Sequence, residues 1–90
     1  MNSKEFPNIK MDLSTKPIKI SQKILKTIKA IRVSESISQS EMAKRLGMST
    51  SFYGMLERGN RTLSVEMLIK TAEAFDCDLS DLIMITETEE

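Results

Sequence analysis

Three polar side chains that lie close together in the second half of the chain carry groups suited to an anionic ligand. Arg58, Asn60 and Arg61 flank Gly59 in the segment LERGNR and bring two guanidinium groups and one amide together. Such donors, with the exposed backbone N–H groups expected around the glycine, suit contacts with phosphate oxygens that fix the position of a protein on a nucleic acid. Loop residues of this kind are also often only solvated, so both interpretations remain open.

The residues before Arg58 form a candidate reading surface that has few strong donors. From Ser49 to Met55 the chain lacks the Arg, Lys, Asn and Gln side chains that make bidentate bonds to guanine or adenine. Thr50 and Ser51 can bond to phosphates or bases with little preference, and Phe52 can pack on a thymine methyl group, as can Met55. Direct base readout is therefore expected to be weak. The candidate surface comprises Ser49, Thr50, Ser51, Phe52, Gly54, Met55 and Arg58.

Two adjacent residues of this surface have unusual types for a short helix. Gly54 lowers helix stability by roughly 1 kcal/mol relative to alanine. It either lets the backbone come close to DNA or marks a helix that contacts a protein instead. Tyr53 requires a hydrogen-bond partner for its hydroxyl or access to solvent, and the sequence does not decide between these outcomes.

Two short helices joined at Gly47 are predicted to position these side chains. The first has an apolar face formed by Met42, Ala43 and Leu46, opposite charged residues. Gly47 ends this helix because glycine adopts the left-handed conformation without steric strain. Ala43 is small enough for two helices to approach closely at a steep angle.

The second helix is predicted to follow Ser49, which can cap it, and to run to about Arg58. Tyr53 and Leu56 lie three residues apart and are expected to face the interior. The residues left facing outward are Thr50, Ser51, Gly54, Met55 and Arg58.

With these features the chain resembles the repressor-like helix-turn-helix family, which includes lambdoid phage repressors, Cro proteins and the controller proteins of restriction-modification systems. The resemblance covers about residues 20 to 85 and rests on the segments SQSEMAKRLGMS, LERGNR, LSVEMLIKTAEAF and DLSDLI. It implies an all-α fold, a compact five-helix bundle of the lambda-repressor type with the helix-turn-helix at residues 39–58. It also implies dimeric binding to operator DNA, with the second helix of the motif, the recognition helix, in the major groove. The segment GNRTLS is somewhat similar to controller proteins.

The resemblance further implies roles for three polar residues. Gln39 stands where the family has a glutamine that bonds a DNA phosphate and braces the recognition helix, although an ordinary first-turn polar residue is the alternative. Glu57 matches a glutamate that pairs with an arginine of the first helix, and Arg32 occupies the corresponding position. We therefore expect a partly buried, structural ion pair between Arg32 and Glu57.

Charge is segregated along the chain although the net charge is zero. Residues 1–33 carry eight Lys or Arg and two acidic residues, whereas residues 62–90 carry one basic and eight acidic residues. Residues 34–61 have a balance of +1. A basic front with an acidic rear suits electrostatic positioning on DNA, and simple solvation of the helix faces is the alternative.

Composition excludes several functional classes. Ninety residues suffice for one small domain with a modest core. With Cys77 as the single cysteine and no histidine, we expect no metal, no cofactor, no intrachain disulfide and no enzymatic activity. No segment approaches the roughly 20 apolar residues that a membrane span needs, and no secretory signal is evident. A reducing cytoplasm is the expected compartment.

Three further helices are expected around the motif. Ser21 is predicted to cap the first helix, with a core stripe formed by Ile24, Ile28 and Ile31. Ser64 is predicted to cap the fourth, and Asp78 the fifth, where Asp81 takes the third helical position. Asp76 is predicted to adopt the left-handed conformation after the fourth helix. The residues expected to bury one face of the fourth helix are Val65, Leu68, Ile69, Ala72 and Phe75.

The domain boundaries follow from this pattern. Residues 1–19 contain both prolines and scattered lysines and are predicted to be an N-terminal arm, either flexible or a short strand at residues 9–13. Residues 20–85 are the predicted DNA-binding domain, and residues 86–90 form an acidic tail.

A symmetric dimer is expected because one isolated helix-turn-helix makes few contacts and the fifth helix is apolar on more than one side. Closure of the core by the same residues is the alternative. The predicted interface residues are Leu79, Leu82, Ile83, Met84 and Ile85.

Two functional hypotheses remain. The first is a sequence-specific transcriptional regulator, repressor-like, that binds a two-fold symmetric operator in double-stranded DNA as a homodimer. The second is a protein-interaction module, such as an antitoxin or a partner-dependent regulator, that uses Phe52, Gly54 and Met55 to dock another protein.

Overall fold

The computed structural model describes residues 17–88, and within this range the chain is entirely helical outside its turns. The five helices are α1 (Pro17–Ser34), α2 (Gln39–Leu46), α3 (Thr50–Glu57), α4 (Val65–Ala74) and α5 (Leu79–Thr88). The predicted all-α, five-helix architecture is therefore confirmed.

Helices α2 and α3 form the predicted motif, and local chemistry fixes both of its inner ends. Gly47 has φ 72° and closes α2, while the next N–H, of Met48, donates to the Ala43 carbonyl at 3.0 Å. Ser49 then caps α3 by accepting a hydrogen bond from the Phe52 N–H at 3.0 Å. At the outer end, Ser38 caps α2 by accepting from the Glu41 N–H at 3.0 Å. The turn between the two helices thus forms as its sequence predicts.

The core lies between α1 and the motif, and it supports α3 from behind. Met42, Ala43 and Leu46 of α2 are buried as predicted, and so are Tyr53 and Leu56 of α3. From the opposite side α1 contributes Ile24, Leu25 and Ile28, while Ile31 is only partly buried. Helix α3 packs mainly on α2 and α1, so its remaining face is free of other elements.

The predicted start of α1 is wrong. The helix begins at Pro17, whose fixed φ suits a first turn, and Ser21 is therefore a buried residue inside the helix and not its cap. The Ser21 hydroxyl instead accepts a hydrogen bond from the Leu63 N–H at 2.9 Å and holds the loop after α3 against α1. The remainder of the predicted arm, including the possible strand at residues 9–13, lies outside the described residues.

Helix α4 is capped by Ser64 as predicted, but its buried face differs from the prediction. Val65 and Ile69 are exposed, at 69% and 44% of their surface, because they lie one turn apart on the outer side of the helix. Ala72 is buried as predicted, and Thr71, which was not predicted to be buried, lies beside it in the interior. Met67, Leu68 and Phe75 pack against the core only partly.

Helix α5 closes the core through one residue. Leu82 is fully buried within the protomer, so the prediction that it forms part of a subunit interface is withdrawn. Met84 is 51% exposed, Leu79 is exposed and Ile83 is half-buried, whereas the side chain of Ile85 lies outside the described part of the structure. At the helix start the Asp81 carboxylate accepts from the Asp78 N–H at 3.3 Å, as in a capping box.

The buried threonine hydroxyls within the described residues are satisfied inside their own helices. Thr27, Thr71 and Thr86 donate to the carbonyls of Lys23, Met67 and Leu82, at 3.3, 2.7 and 3.0 Å.

Among the described residues, no helix has the length and apolar character needed to cross a membrane.

Candidate nucleic-acid interface

Glu57, at the end of α3, is the centre of a buried hydrogen-bond network. Arg32 donates to both of its oxygens, through Nε to Oε2 at 2.5 Å and through Nη2 to Oε1 at 3.1 Å. The Arg32 and Glu57 side chains are only 10% and 2% exposed, which is the partly buried pair that the sequence predicts. Arg32 also donates through Nη1 to the Ile37 carbonyl at 2.6 Å, and this bond ties the loop between α1 and α2 to the same group.

Two more side chains complete the coordination of Glu57. The Tyr53 hydroxyl donates to Oε2 at 2.6 Å, and Gln39 Nε2 donates to Oε1 at 3.0 Å. The Tyr53 hydroxyl thereby finds a partner one turn away on its own helix, an outcome that the sequence left open. One carboxylate thus links the first helix, the first residue of α2 and the recognition helix.

The network favours the ionised form of Glu57. Burial alone raises the pKa of this carboxyl, but the hydrogen bonds from Arg32, Tyr53 and Gln39 outweigh burial and hold the pKa below its usual value. The pKa of Tyr53 is raised, first by burial and then by its bond to Glu57, so the hydroxyl remains a donor. A carboxylate that accepts from three residues makes the recognition helix rigid relative to α1 and α2.

Gly54 lies beneath two polar side chains of the candidate interface. The structure buries Gly54, which contradicts the prediction that it faces solvent. A β-carbon at this position would lie 3.4 Å from Arg58 Nη1 and 3.9 Å from Gln39 Oε1. The Arg58 guanidinium therefore folds back over α3 toward the Gln39 amide, and the two groups cover Gly54.

The loop after α3 presents side chains and not the backbone groups that we expected. The N–H groups of Arg58, Gly59 and Asn60 donate to the carbonyls of Gly54, Leu56 and Met55, at 3.1, 2.9 and 3.0 Å. Because these bonds end the helix, the prediction of free backbone amides around Gly59 is wrong. Gly59 has φ 80°, a left-handed conformation that this type of helix end requires. The exposed Arg58, Asn60 and Arg61 side chains remain available for phosphate contacts.

Phe52 and Arg61 lie together at the edge of this surface. The Arg61 guanidinium carbon lies 5.7 Å from the centroid of the Phe52 ring, within the range of a cation–π contact. Phe52 is half-buried against the core, and part of its ring also contacts Arg61.

The remaining predicted residues occupy the first turn and one side of α3. Ser49, Thr50 and Ser51 are exposed and can donate hydroxyl hydrogens, although the Ser49 oxygen also caps the helix. Met55 is half-buried.

Sequence reasoning missed one neighbour of the loop. Gln22 of α1 lies so close to Gly59 that a β-carbon there would be 3.4 Å from the Gln22 side chain. Its position depends on how α1 packs, and no local pattern in the sequence indicates it. The basic α1 therefore lies next to the predicted phosphate-binding loop.

Comparison with known proteins agrees with this geometry. Residues 28–82 match the sequence model of a family described as helix-turn-helix. An uncharacterised helix-turn-helix-type transcriptional regulator from Archaeoglobus fulgidus is 31% identical over 62 residues, which are 69% of this chain and 87% of the relative.

A solved structure is similar in fold. A crystal structure of the clp gene regulator ClgR from Corynebacterium glutamicum superposes with a TM-score of 0.69 at 19% identity, over 76% of this chain and 72% of that one. A second crystal structure of ClgR gives the same TM-score over 88% of its chain. With the motif, the ion pair and the family match in agreement, the chain belongs to the repressor-like helix-turn-helix family of DNA-binding transcriptional regulators.

Proposed function

We propose that the protein is a sequence-specific, repressor-like regulator that binds a two-fold symmetric operator as a homodimer, with α3 in the major groove. The observation that carries the proposal is the Glu57 network, which fixes the recognition helix on α1 and α2 while leaving its outer face free of other elements. A helix held in this way can enter a groove without reorganisation. Because the target is DNA, the cytoplasm is the expected compartment.

Phosphate contacts are proposed to supply most of the affinity. The exposed cations near α3 are Arg58 and Arg61, and α1, which carries exposed lysines, contacts the same loop through Gln22 and Ser21. The first turn of α3 offers hydroxyls in place of long donors, so base discrimination is proposed to be modest at each half-site. Sequence-dependent DNA shape then has to contribute to specificity.

The homodimer is proposed to form through the exposed apolar side of α5. Leu79, Met84 and the half-buried Ile83 supply its apolar surface, while Leu82 faces the core. A symmetric dimer would place two recognition helices about 34 Å apart, one turn of DNA, on the two halves of an operator.

The DNA-binding part is tested by selecting bound fragments from a random DNA pool and titrating the affinity of the best fragment against salt. A two-fold symmetric site with steep salt dependence is expected. Arg61→Ala should weaken binding to all sequences and lower the salt slope by about 1, whereas Lys70→Ala, on α4 and paired with Glu66, should change neither. No enrichment of any sequence by folded protein would refute the proposal.

The dimer is tested by analytical ultracentrifugation across the micromolar range. Met84→Asp should convert a dimer to a folded monomer, while Val65→Asp, at a more exposed apolar residue of α4, should leave the dimer intact. A monomeric wild-type protein would refute the homodimer, and dissociation by Val65→Asp alone would move the interface to α4.

The alternative of a protein-docking module has less exposed apolar surface than the sequence suggests. Of the three residues that would dock a partner, Phe52 is half-buried and contacts Arg61, Gly54 is buried and Met55 is half-buried. We therefore propose no docking function for this face.

A further inference from the structure

The backbone does not require glycine at position 54. The left-handed glycines among the described residues are Gly47 and Gly59, whereas Gly54 lies inside α3 with helical geometry. Alanine would adopt this conformation more favourably, since glycine weakens a helix interior. The reason for a glycine must therefore lie in what surrounds it.

The core does not require glycine at this position either. Outside its own helix backbone and chain neighbours, the atoms within 4 Å of a β-carbon at Gly54 are Arg58 Nη1 at 3.4 Å and Gln39 Oε1 at 3.9 Å. Both are the polar ends of side chains, and they come from two different helices. No buried apolar side chain approaches this point.

The Gln39 amide is held in one orientation. Its Nε2 donates to Glu57 Oε1, and an ionised carboxylate can only accept, so the amide oxygen turns toward Gly54. The second hydrogen of Nε2 is left for another acceptor. The guanidinium of Arg58, folded over Gly54, lies beside this fixed amide.

We propose that Gly54 is a positioning residue whose lack of a bulky side chain lets Arg58 fold back over α3 and join Gln39 in a two-residue phosphate clamp. This inference rests on the proposed DNA-binding function and deepens it. The guanidinium contributes charge and a planar set of donors, and the amide contributes one N–H in a fixed direction. It assigns Arg58 to the DNA backbone, and not to a base edge as its position on the reading surface suggested.

The test is a graded series at position 54 combined with loss of Arg58. Gly54→Ala, Gly54→Val, Arg58→Ala and the double variant Gly54→Val with Arg58→Ala are compared for affinity and salt slope. Each is measured on the selected operator and on a duplex of unrelated sequence, at a salt concentration where Arg58→Ala still binds. Lys70→Val, at an exposed position of α4, is the control for a β-branched residue in a helix, and thermal unfolding shows that each variant is folded.

The expected result separates stability from binding. Gly54→Ala should raise the melting temperature by about 4 °C, because helix propensity improves, and should leave binding nearly unchanged, because a β-carbon 3.4 Å from the flexible end of Arg58 makes an ordinary contact. Gly54→Val should weaken binding about tenfold, the loss also expected for Arg58→Ala, and lower the salt slope by about 1 on both duplexes. Adding Arg58→Ala to Gly54→Val should produce no further loss, since both changes remove the same contact.

Three outcomes would overturn the clamp. Unchanged affinity in Gly54→Val would show that Gly54 does not control Arg58. Additive losses in the double variant would mean that Gly54 allows the backbone itself to approach DNA. A loss confined to one base pair of the operator would assign Arg58 to base readout. Failure of the wild-type protein to bind any DNA would refute the proposed function, and the clamp with it.

Discussion

The helix-turn-helix half of the molecule and the half formed by α4 and α5 use apolar residues differently. In α2 and α3 the large aliphatic residues predicted for the interior are buried, and the polar groups behind α3 converge on Glu57. In α4 and α5, Val65, Ile69 and Met84 remain exposed. In α2 and α3 these apolar and polar groups find their partners within one chain, whereas α4 and α5 keep apolar surface available for another contact.

The two halves also differ in charge. Helix α1, which is rich in lysine, contacts the loop after α3 through Ser21 and Gln22. At the turn between α4 and α5, burial raises the pKa of the Cys77 thiol, and the neighbouring Asp81, Asp78 and Asp76 carboxylates raise it further. The comparison indicates that one half is built to approach phosphates and the other to face away from them.

The largest expected effect on stability comes from removing the hydrogen-bond network behind the recognition helix. Glu57→Ala should destabilise the protein by about 3–5 kcal/mol, because the buried Arg32 guanidinium loses its counter-ion. Chemical denaturation measures this change. Glu66→Ala, which removes an exposed ion pair with Lys70 on α4, should leave stability nearly unchanged. Equal effects in the two variants would contradict the distinction between the halves.

In the second half, the largest effect is expected at Leu82, a fully buried apolar residue of α5. Leu82→Ala should destabilise the fold by about 2–5 kcal/mol, whereas Met84→Ala should leave the unfolding of the monomer nearly unchanged. Unfolding at several protein concentrations separates core packing from dimer formation, since only the latter depends on concentration. A large, concentration-independent loss in Met84→Ala would show that this side chain also belongs to the core.

A smaller effect is expected from the Tyr53 hydroxyl. Tyr53→Phe removes one of the donors to Glu57 and should cost about 1.5 kcal/mol, the lower end for a hydrogen bond to a charged group. Urea denaturation measures the difference. Because Arg32 and Gln39 continue to donate to Glu57, the variant should fold and retain DNA binding. Unchanged stability would mean that this hydroxyl adds nothing to the network.

The same network predicts a dependence of stability on pH. The pKa of Glu57 is lower in the folded protein than its usual value of 4.5, so folding favours the ionised form. This contribution is fully present above that usual value and is lost as pH falls through the lower folded pKa. The stability difference between wild type and Glu57→Gln should therefore shrink on acidification below about pH 4.5. A difference that stays constant down to pH 2 would contradict the lowered pKa.

The sequence predicts the parts of the structure that depend on local chemistry. The left-handed turn at Gly47, the cap at Ser49 and the pairing of Arg32 with Glu57 are all found, the first two from turn and cap rules and the third from the family resemblance. The acceptor of the Tyr53 hydroxyl could also be predicted from the sequence, because Glu57 lies one turn away on the same helix.

The parts that depend on long-range packing could not be predicted in this way. Ser21 has the type of a cap, yet α1 begins at Pro17 and the hydroxyl bonds a loop that is distant in sequence. Val65 and Ile69 satisfy a helical period, but which side of α4 faces the core depends on where α2 and α5 lie. The burial of Gly54 follows from the direction that Arg58 takes, and periodicity does not describe side-chain direction.

The smallest effects concern Ser36 and Asp76, the two non-glycine residues with left-handed backbones within residues 17–88, one in each half. Ser36, between α1 and α2, has φ 59°, and Asp76, after α4, has φ 57°. Replacing either with glycine should stabilise the fold by about 0.5 kcal/mol, the relief of strain minus the added freedom of the unfolded chain. Ser36→Gly should gain this amount at any salt concentration, because only backbone strain is removed.

Asp76→Gly also removes a charge from the acidic turn, so its gain should fall as salt screens the remaining carboxylates. Asp76→Asn separates the two causes, since it removes the charge and keeps a side chain that tolerates the left-handed conformation. If Asp76→Asn gains nothing at low salt, repulsion at this turn is negligible and the electrostatic contrast between the two halves is wrong.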